Sequence, residues 1–275
     1  MPSFCTARIL LMLAAVASAA PAVVAAAGQA NAPAACQARS ADQQLQLIEL
    51  YTSEGCSSCP PADRWLSTLK AQPQVLAAAF HVDYWDRLGW RDRFSDPAYT
   101  ARQRAWVGRE AGRFAYTPQV LVNGRDWRGW PTLPVAAGAA RVRIELRQDA
   151  ERRVQVSVTP LAGAPTRLAL WWALLEDGHR SLVRAGENSG AQLHHDHVVR
   201  RYGELPAWPA QASSSQQWTF PAAAAASAAD KAQSGLQTRS DKAESGSKAR
   251  FLVVVTDAAT GVPLQATQLD CGAAG

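Results

Sequence analysis

Residues 55–63 read GCSSCPPAD and closely follow an apolar run that ends at Thr52. The apolar run predicts a strand, and the two prolines suit the first turn of a helix, where no intrahelical N–H bond is lost. Cys56 and Cys59 therefore lie at a turn from a strand into a helix, where unpaired N–H groups favour the thiolate form of the first cysteine. The first sulfur of such a pair is normally the more exposed one. The motif predicts a redox-active dithiol, with Cys56 as nucleophile and Cys59 as resolving cysteine.

Two alternatives for this pair are a permanent disulfide that braces the turn and a zinc site. A two-residue spacer gives little loop-closure stabilisation, which argues against a purely structural bridge. A zinc site needs further protein ligands, and His81 is the only candidate nearby by strand order. We therefore expect no metal and no cofactor.

The elements predicted around the motif come in the order of the thioredoxin fold. They are a strand at 45–51, a helix from Pro60, a strand at 75–83, a helix at about 99–112, a strand at 116–122 entered through a proline, and a tight hairpin turn at Asn123-Gly124.

After about residue 135 the pattern changes to short β-rich runs separated by Gly, Pro and Asp turns. These runs are 141–146, 154–159, 168–175 and 251–256. Residues 207–248 are dominated by Ala, Ser, Gln and Lys and predict a low-complexity loop, with a short strand at 217–220. The predicted fold class is an α/β thioredoxin-like domain at 45–138, followed by a mainly antiparallel, sandwich-like β domain at 139–275.

The first residues have the pattern of an export signal. Arg8 precedes an apolar stretch at 9–16, and small residues suited to cleavage follow, so we expect a signal peptide at 1–27 and an irregular lead-in at 28–44. An uncleaved anchor is the alternative. The prediction is a periplasmic or secreted protein with no membrane attachment after cleavage.

Export makes disulfides possible, and four cysteines remain once Cys5 is removed with the signal. Two belong to the motif, and Cys36 and Cys271 lie near opposite ends of the chain. Since chain termini are often close in space, we predict a structural disulfide between them. The alternative is two unpaired thiols.

Further blocks of sequence resemble a known family. Together with residues 49–63, the stretches FHVDYWD at 80–86 and YTPQ at 116–119 resemble the signature of an exported bacterial family labelled only as a domain of unknown function. The resemblance covers roughly residues 45 to 270. It implies a thioredoxin-like domain followed by a β domain, and it brings no established reaction.

Two positions near the dithiol are candidates for roles in catalysis. Thr117-Pro118 is a candidate cis-proline opposite the cysteines, where the residue before the proline pairs with an extended substrate; an ordinary trans proline opening an edge strand is the alternative. Glu49, seven residues before Cys56, is a candidate buried proton shuttle for Cys59; the alternative is a carboxylate held by an arginine or a backbone donor on a partly exposed face.

Other polar residues are candidates for tuning the dithiol or binding a ligand. His81 and Asp83 alternate onto one face near the end of their strand; the alternative, which the sequence favours, is a hydrogen-bonded structural pair. Trp85 lines a cleft or packs the long connection. The run from His194 to His197 resembles a metal cluster, but alternation along a strand sends its side chains to opposite faces, so we expect no metal there.

These observations favour an exported thiol-disulfide oxidoreductase that acts on protein or small-molecule thiols and disulfides. The alternatives are a non-catalytic binding protein and a copper handler. Paired thiolates bind Cu(I), but no Met-rich segment supports copper handling, because both methionines, Met1 and Met12, lie in the signal. The net charge of +5 is dispersed and lacks the basic, aromatic-studded face that nucleic-acid binding requires.

Overall fold

The computed structural model describes residue 1 and residues 36–109, 114–135, 138–211, 215–220 and 249–271. The predicted signal peptide, apart from residue 1, lies outside the described residues, as do 28–35 of the lead-in and most of the predicted low-complexity loop. The described residues from Cys36 to Cys271 belong to one compact unit.

Fourteen strands and two α-helices lie in the described ranges. The strands are β1 Gln37–Arg39, β2 Gln46–Thr52, β3 Val75–His81, β4 Gln119–Val122, β5 Arg125–Asp126, β6 Val142–Gln148, β7 Val154–Pro160, β8 Arg167–Glu176, β9 His179–Leu182, β10 Gln192–His195, β11 Val198–Pro209, β12 Gln216–Phe220, β13 Arg250–Asp257 and β14 Pro263–Leu269. The helices are α1 Pro60–Thr68 and α2 Pro97–Arg109.

One eight-stranded sheet runs through both halves of the chain, in the order β14-β13-β8-β11-β3-β2-β4-β5. The pairs β2–β3 and β3–β11 are parallel, and the remaining pairs are antiparallel. The strand β11 joins the halves, because Val198 pairs with Ala79 of β3 while the rest of β11 pairs with β8.

This sheet corrects the predicted fold class. An α/β thioredoxin-like domain followed by a separate β domain is wrong, because β-structure dominates the described residues and the sheet continues from β3 into β8, β13 and β14 without a break. The physical reason is the edge of β3: an apolar strand with unpaired N–H and C=O groups needs a neighbour, and β11 supplies one. The β-rich character predicted for the second half fits the structure.

A second sheet, in the order β1-β6-β7-β12, packs against the end of the main sheet. Alternate residues of β6 and β7, such as Ile144 and Val156, share a core with Leu170 and Val253 from β8 and β13. The two sheets bury their facing side chains as a sandwich does.

The two helices cover opposite faces of the main sheet. Ile48 and Leu50 pack with Leu66 of α1, whereas Leu47 and Tyr51 belong to the cluster that contains residues of α2. Successive strand residues point to opposite faces. Even-numbered residues of β2 therefore face α1, and odd-numbered residues face α2. Neither described helix has the length and apolar composition needed to cross a membrane.

The hairpin between β4 and β5 has the predicted turn. Asn123 and Gly124 adopt φ angles of 49° and 77°, the left-handed conformations that a two-residue hairpin loop requires. Val122 then pairs with Arg125 across the turn.

Candidate functional site

Cys56 and Cys59 form a disulfide in the turn between β2 and α1, with their Cα atoms 5.4 Å apart. Cys59 is the residue that precedes the helix, and prolines occupy the first helical turn. The carbonyl of Cys59 accepts hydrogen bonds from the N–H groups of Ala62 and Asp63, at 2.9 and 3.1 Å. The disulfide thus closes onto a helix N-terminus, as the motif predicts.

Both cysteines of this pair are completely buried, whereas Ser57 and Ser58 between them are exposed. The greater exposure expected for Cys56 is therefore not observed. The hydroxyl of Ser58 lies 3.4 Å from Cys56 Sγ.

The turn is covered by residues 183–191 between β9 and β10, here called the covering loop. The amide of Asn188 donates to the carbonyl oxygens of Glu54 and Cys56, at 2.9 Å each. The carboxylate of Glu187 accepts from the backbone N–H and the hydroxyl of Ser57, at 3.0 and 2.7 Å. These two hydrogen bonds hold the pKa of Glu187 below its ordinary value. The covering loop and the turn are therefore joined by four hydrogen bonds.

The predicted Thr117-Pro118 and Trp85 contact one another beside this turn. The peptide bond before Pro118 is cis. Trp85 Nε1 donates to Thr117 Oγ1 at 2.8 Å, and a Cβ placed on Gly55 would lie only 3.2 Å from Trp85 Cβ. The side chain of Trp85 thus lies between the residue before Cys56 and the residue before Pro118.

Glu49 is not brought to the dithiol. It lies on the face of β2 that is covered by α2, where its carboxylate pairs with Arg102 at 2.6 Å. Burial raises the pKa of Glu49, although the guanidinium opposes the shift. The carboxylate is therefore held by an arginine, the alternative to a proton shuttle.

His81 and Asp83 do not share a partner. Asp83 accepts a hydrogen bond from the hydroxyl of Thr100 in α2, at 2.5 Å. His81 points to the opposite side, where its Nδ1 lies 2.6 Å from Asp92 Oδ2. Burial opposes the charged imidazole, but the adjacent carboxylate raises the pKa of His81, and the pair holds the pKa of Asp92 low despite its burial.

A buried polar cluster lies behind the turn, on the α1 side of the sheet. One donor atom each from Asp63, His81 and His195 lies within 4.8 Å of the others. Burial raises the pKa of Asp63, while the two histidines oppose that shift. Asp63 belongs to the first turn of α1 and His195 ends β10, so three elements meet here.

The run from His194 to His197 does not form a cluster of its own. His195 enters the buried cluster, Asp196 pairs with Lys70 at 2.7 Å, and His197 Nδ1 lies 3.2 Å from the Arg250 guanidinium. Sequence reasoning recognised the alternation but missed that His195 would meet His81. It also missed Asp63, although this residue ends the quoted motif, and the covering loop, which carries no motif at all.

The remaining two cysteines form the pairing predicted from the sequence. Cys36 and Cys271 are joined by a disulfide with a Cα–Cα distance of 5.7 Å across 235 residues of sequence. It ties the segment before β1 to the segment after β14.

Comparison with known proteins gives a family and two similar structures. A family described as a protein of unknown function (DUF1223) matches residues 47–237. The X-ray crystal structure of a protein from Agrobacterium tumefaciens is 21% identical, with a TM-score of 0.60, over 86% of this chain and 98% of that one. HBP35 of Porphyromonas gingivalis is 14% identical, with a TM-score of 0.51, over 84% of this chain and 76% of that one. No curated protein matches.

Proposed function

This chain belongs to the DUF1223 family of proteins of unknown function, so its role has to be argued from its site, and we propose that it is a thiol-disulfide oxidoreductase. The observation that carries the proposal is the Cys56–Cys59 disulfide at the N-terminus of α1. A helix N-terminus stabilises a thiolate, and the stabilised thiolate is the form released when such a disulfide is reduced.

The proposed reaction exchanges one disulfide for another. A substrate thiolate attacks Cys56 Sγ, the Cys56–Cys59 bond breaks, and Cys59 leaves as a thiolate that takes up a proton. A second substrate thiolate then attacks the substrate sulfur of the mixed disulfide and releases Cys56. The substrate gains a disulfide and the protein gains two thiols; the reverse sequence reduces a substrate. The Ser58 hydroxyl, 3.4 Å from Cys56 Sγ, can donate a hydrogen bond to the Cys56 thiolate.

The covering loop has to move before a substrate reaches Cys56, because neither sulfur-bearing residue is exposed. Its contacts to the turn are hydrogen bonds from Asn188 and to Glu187, and Glu187 itself lies at the surface. Opening exchanges these hydrogen bonds for bonds to water and therefore costs only a few kcal/mol.

The proposed partners are thiols and disulfides of proteins or small molecules, with neither nucleic acid nor, after signal cleavage, a membrane among them. The proposed place is the periplasm or the exterior. Two disulfides in one chain support an oxidising compartment, because the cytosol keeps thiols reduced.

The test is a Cys59→Ser variant, which removes the resolving thiol. We expect the variant to accumulate mixed disulfides through Cys56 in a periplasmic extract, and the wild-type pair to reach a measurable redox equilibrium with glutathione. Cys56→Ser is the matched control and should trap much less. Peptide mapping identifies the linked cysteine, and mass spectrometry identifies the partners.

A different result would favour one of the other functions. If Cys59→Ser forms no adducts although Cys56 reacts with a small alkylating reagent, the protein binds partners without redox exchange. If the wild-type disulfide stays oxidised at every glutathione ratio that leaves the protein folded, the bridge is structural, as its complete burial would then explain.

A further inference from the structure

We propose that Asp63, His81 and His195 bind a divalent transition-metal ion, and that Zn²⁺ is the ion that this donor set fits. The site lies behind the turn that carries Cys56 and Cys59, and it does not depend on the proposed exchange reaction. Asp63 Oδ1, His81 Nε2 and His195 Nδ1 are the proposed ligand atoms. The expectation of no metal considered a site on the cysteine pair, for which His81 was the only further candidate ligand nearby, whereas the fold brings His81 to Asp63 and His195.

His81 has one ring nitrogen against a carboxylate, as metal-binding histidines usually have. Its Nδ1 lies 2.6 Å from Asp92 Oδ2, so that nitrogen is engaged by the carboxylate and Nε2 is the nitrogen left to face a metal ion. Nε2 has no hydrogen-bond partner, although the ring has no exposed surface. A buried nitrogen without a partner is costly unless something else occupies its lone pair.

His195 has the same arrangement with the two nitrogens exchanged. Its Nε2 lies 3.4 Å from Glu54 Oε1, and its Nδ1 lies 4.0 Å from Asp63 Oδ1. Neither nitrogen makes a hydrogen bond of good geometry, and the side chain is 1% exposed. Each imidazole therefore has a carboxylate on one nitrogen and directs the other nitrogen into the cluster.

Asp63 completes the set with one carboxylate oxygen. Its Oδ2 accepts a hydrogen bond from the hydroxyl of Thr52 at 3.0 Å, which leaves Oδ1 for the ion. Two of the three proposed ligands thus have hydrogen-bonded outer partners, Asp92 for His81 and Thr52 for Asp63, and the carboxylate of Glu54 lies 3.4 Å from Nε2 of the third, His195. Such outer partners orient metal ligands and raise their affinity for the ion.

Charge also favours a cation in this space. Asp63, Glu54 and Asp92 are three buried carboxylates, and the groups that face them include the imidazoles of His81 and His195. A divalent ion bound between these side chains would offset part of the buried negative charge.

The donor set indicates the ion. Two imidazole nitrogens and one carboxylate oxygen match zinc sites that keep a fourth position for water. Zinc bonds of about 2.0–2.2 Å place ligand atoms roughly 3.5 Å apart, so the side chains have to draw inward by about an ångström from their present spacing. Their spread of at most 4.8 Å is within that reach.

The experiment measures metal binding by the full chain. Protein dialysed against a chelator is titrated with Zn²⁺ alone and with Co²⁺ alone, and metal content is measured after gel filtration. We expect one ion per chain and a Co²⁺ absorption spectrum without thiolate charge-transfer bands. We expect His195→Gln and Asp63→Asn, each close in size to the original, to weaken Zn²⁺ binding at least a hundredfold.

Two controls isolate the site. His194→Gln changes the half-exposed neighbour of His195 and should bind Zn²⁺ as the wild type does. The double variant Cys56→Ser/Cys59→Ser should also keep its Zn²⁺, which separates this site from metal binding by the cysteines and from the proposed redox function.

The proposal is overturned if folded wild-type protein takes up neither ion, a result that needs no variant. It is equally overturned if the Cys56→Ser/Cys59→Ser protein loses the metal while Asp63→Asn and His195→Gln keep it. Circular dichroism of each variant establishes that a loss of binding is not a loss of fold.

Discussion

The side chain of Asn188 joins the covering loop to the turn that carries Cys56 and Cys59. Its amide donates to the carbonyls of Glu54 and Cys56, which precede it by 134 and 132 residues. Each such hydrogen bond is worth about 1 kcal/mol net. Losing two of them should raise the open fraction of the covering loop by roughly tenfold or more.

We therefore expect Asn188→Ala to accelerate reduction of the Cys56–Cys59 disulfide by dithiothreitol by about tenfold. The rate is measured by alkylation of the released thiols and peptide mapping. The Cys36–Cys271 disulfide of the same molecule is an internal control, and its rate should not change.

Ser189→Ala is the matched control for this loop, because Ser189 is exposed and lies next to Asn188. It should be reduced at the wild-type rate. If Asn188→Ala also reacts at the wild-type rate, the covering loop does not limit access to Cys56.

At the scale of the element, α2 is anchored to the sheet by a buried arginine. Arg102 reaches Glu49 Oε2 and the hydroxyl of Tyr51, both at 2.6 Å, and its guanidinium lies 4.7 and 4.8 Å from the ring centroids of Phe80 and Trp171. The helix is thus tied to β2, β3 and β8 through one side chain.

We expect Arg102→Met to lower the free energy of unfolding by about 3–5 kcal/mol, because it leaves the buried Glu49 carboxylate without its ion-pair partner. Urea denaturation measures the change. Adding Glu49→Gln should restore more than half of the loss.

Arg104→Met on the exposed side of α2 is the control, and a change within about 0.5 kcal/mol is expected there. If Arg102→Met and Arg104→Met destabilise the protein equally, the ion pair with Glu49 contributes no more than a surface charge does.

Sequence patterns predicted the strands whose pattern is local and missed those that depend on distant partners. β2 and β3 are continuous apolar runs, and β7 alternates, so their side chains alone predict them. β11 carries Gly203, Pro206 and Pro209, which are signals of turns, and its place is fixed by pairing with β8. Missing β11 is what led to two predicted domains in place of one continuous sheet.

The contrast between local patterns and distant contacts also applies to the cysteine pair and the buried polar cluster. Cys56 and Cys59 are adjacent in sequence and geometrically constrained by a helix start, so the motif alone predicts their disulfide. Asp63, His81 and His195 come from three elements that meet only in the folded sheet. The spacing of these three residues along the sequence therefore does not predict that their side chains lie together.

At the scale of the whole molecule, the Cys36–Cys271 bridge closes a loop of 235 residues. In the chain-entropy model a loop of this length gives roughly 5 kcal/mol of stabilisation, by restricting the unfolded chain. We expect Cys36→Ser/Cys271→Ser to unfold at a lower urea concentration, with a loss of at most that size. Urea denaturation without reductant measures it.

The stability of the double variant is compared with that of wild-type protein after mild reduction. Alkylation of the released thiols identifies which of the two disulfides has been reduced. A double variant as stable as the wild type would show that the unfolded chain is already compact enough for the bridge to restrict nothing.

The separation along the chain of the four cysteines that form the two disulfides has a consequence for biogenesis. A polypeptide emerges from its N-terminus, so under the proposed export Cys36, Cys56 and Cys59 would meet oxidants before Cys271 does, and before the covering loop, which lies about 130 residues beyond the turn. Until Cys271 is available, Cys36 can form a non-native disulfide with Cys56 or Cys59. Prompt oxidation of Cys56 with Cys59, which are only 3 residues apart, removes both competitors and leaves Cys36 free for its distant partner.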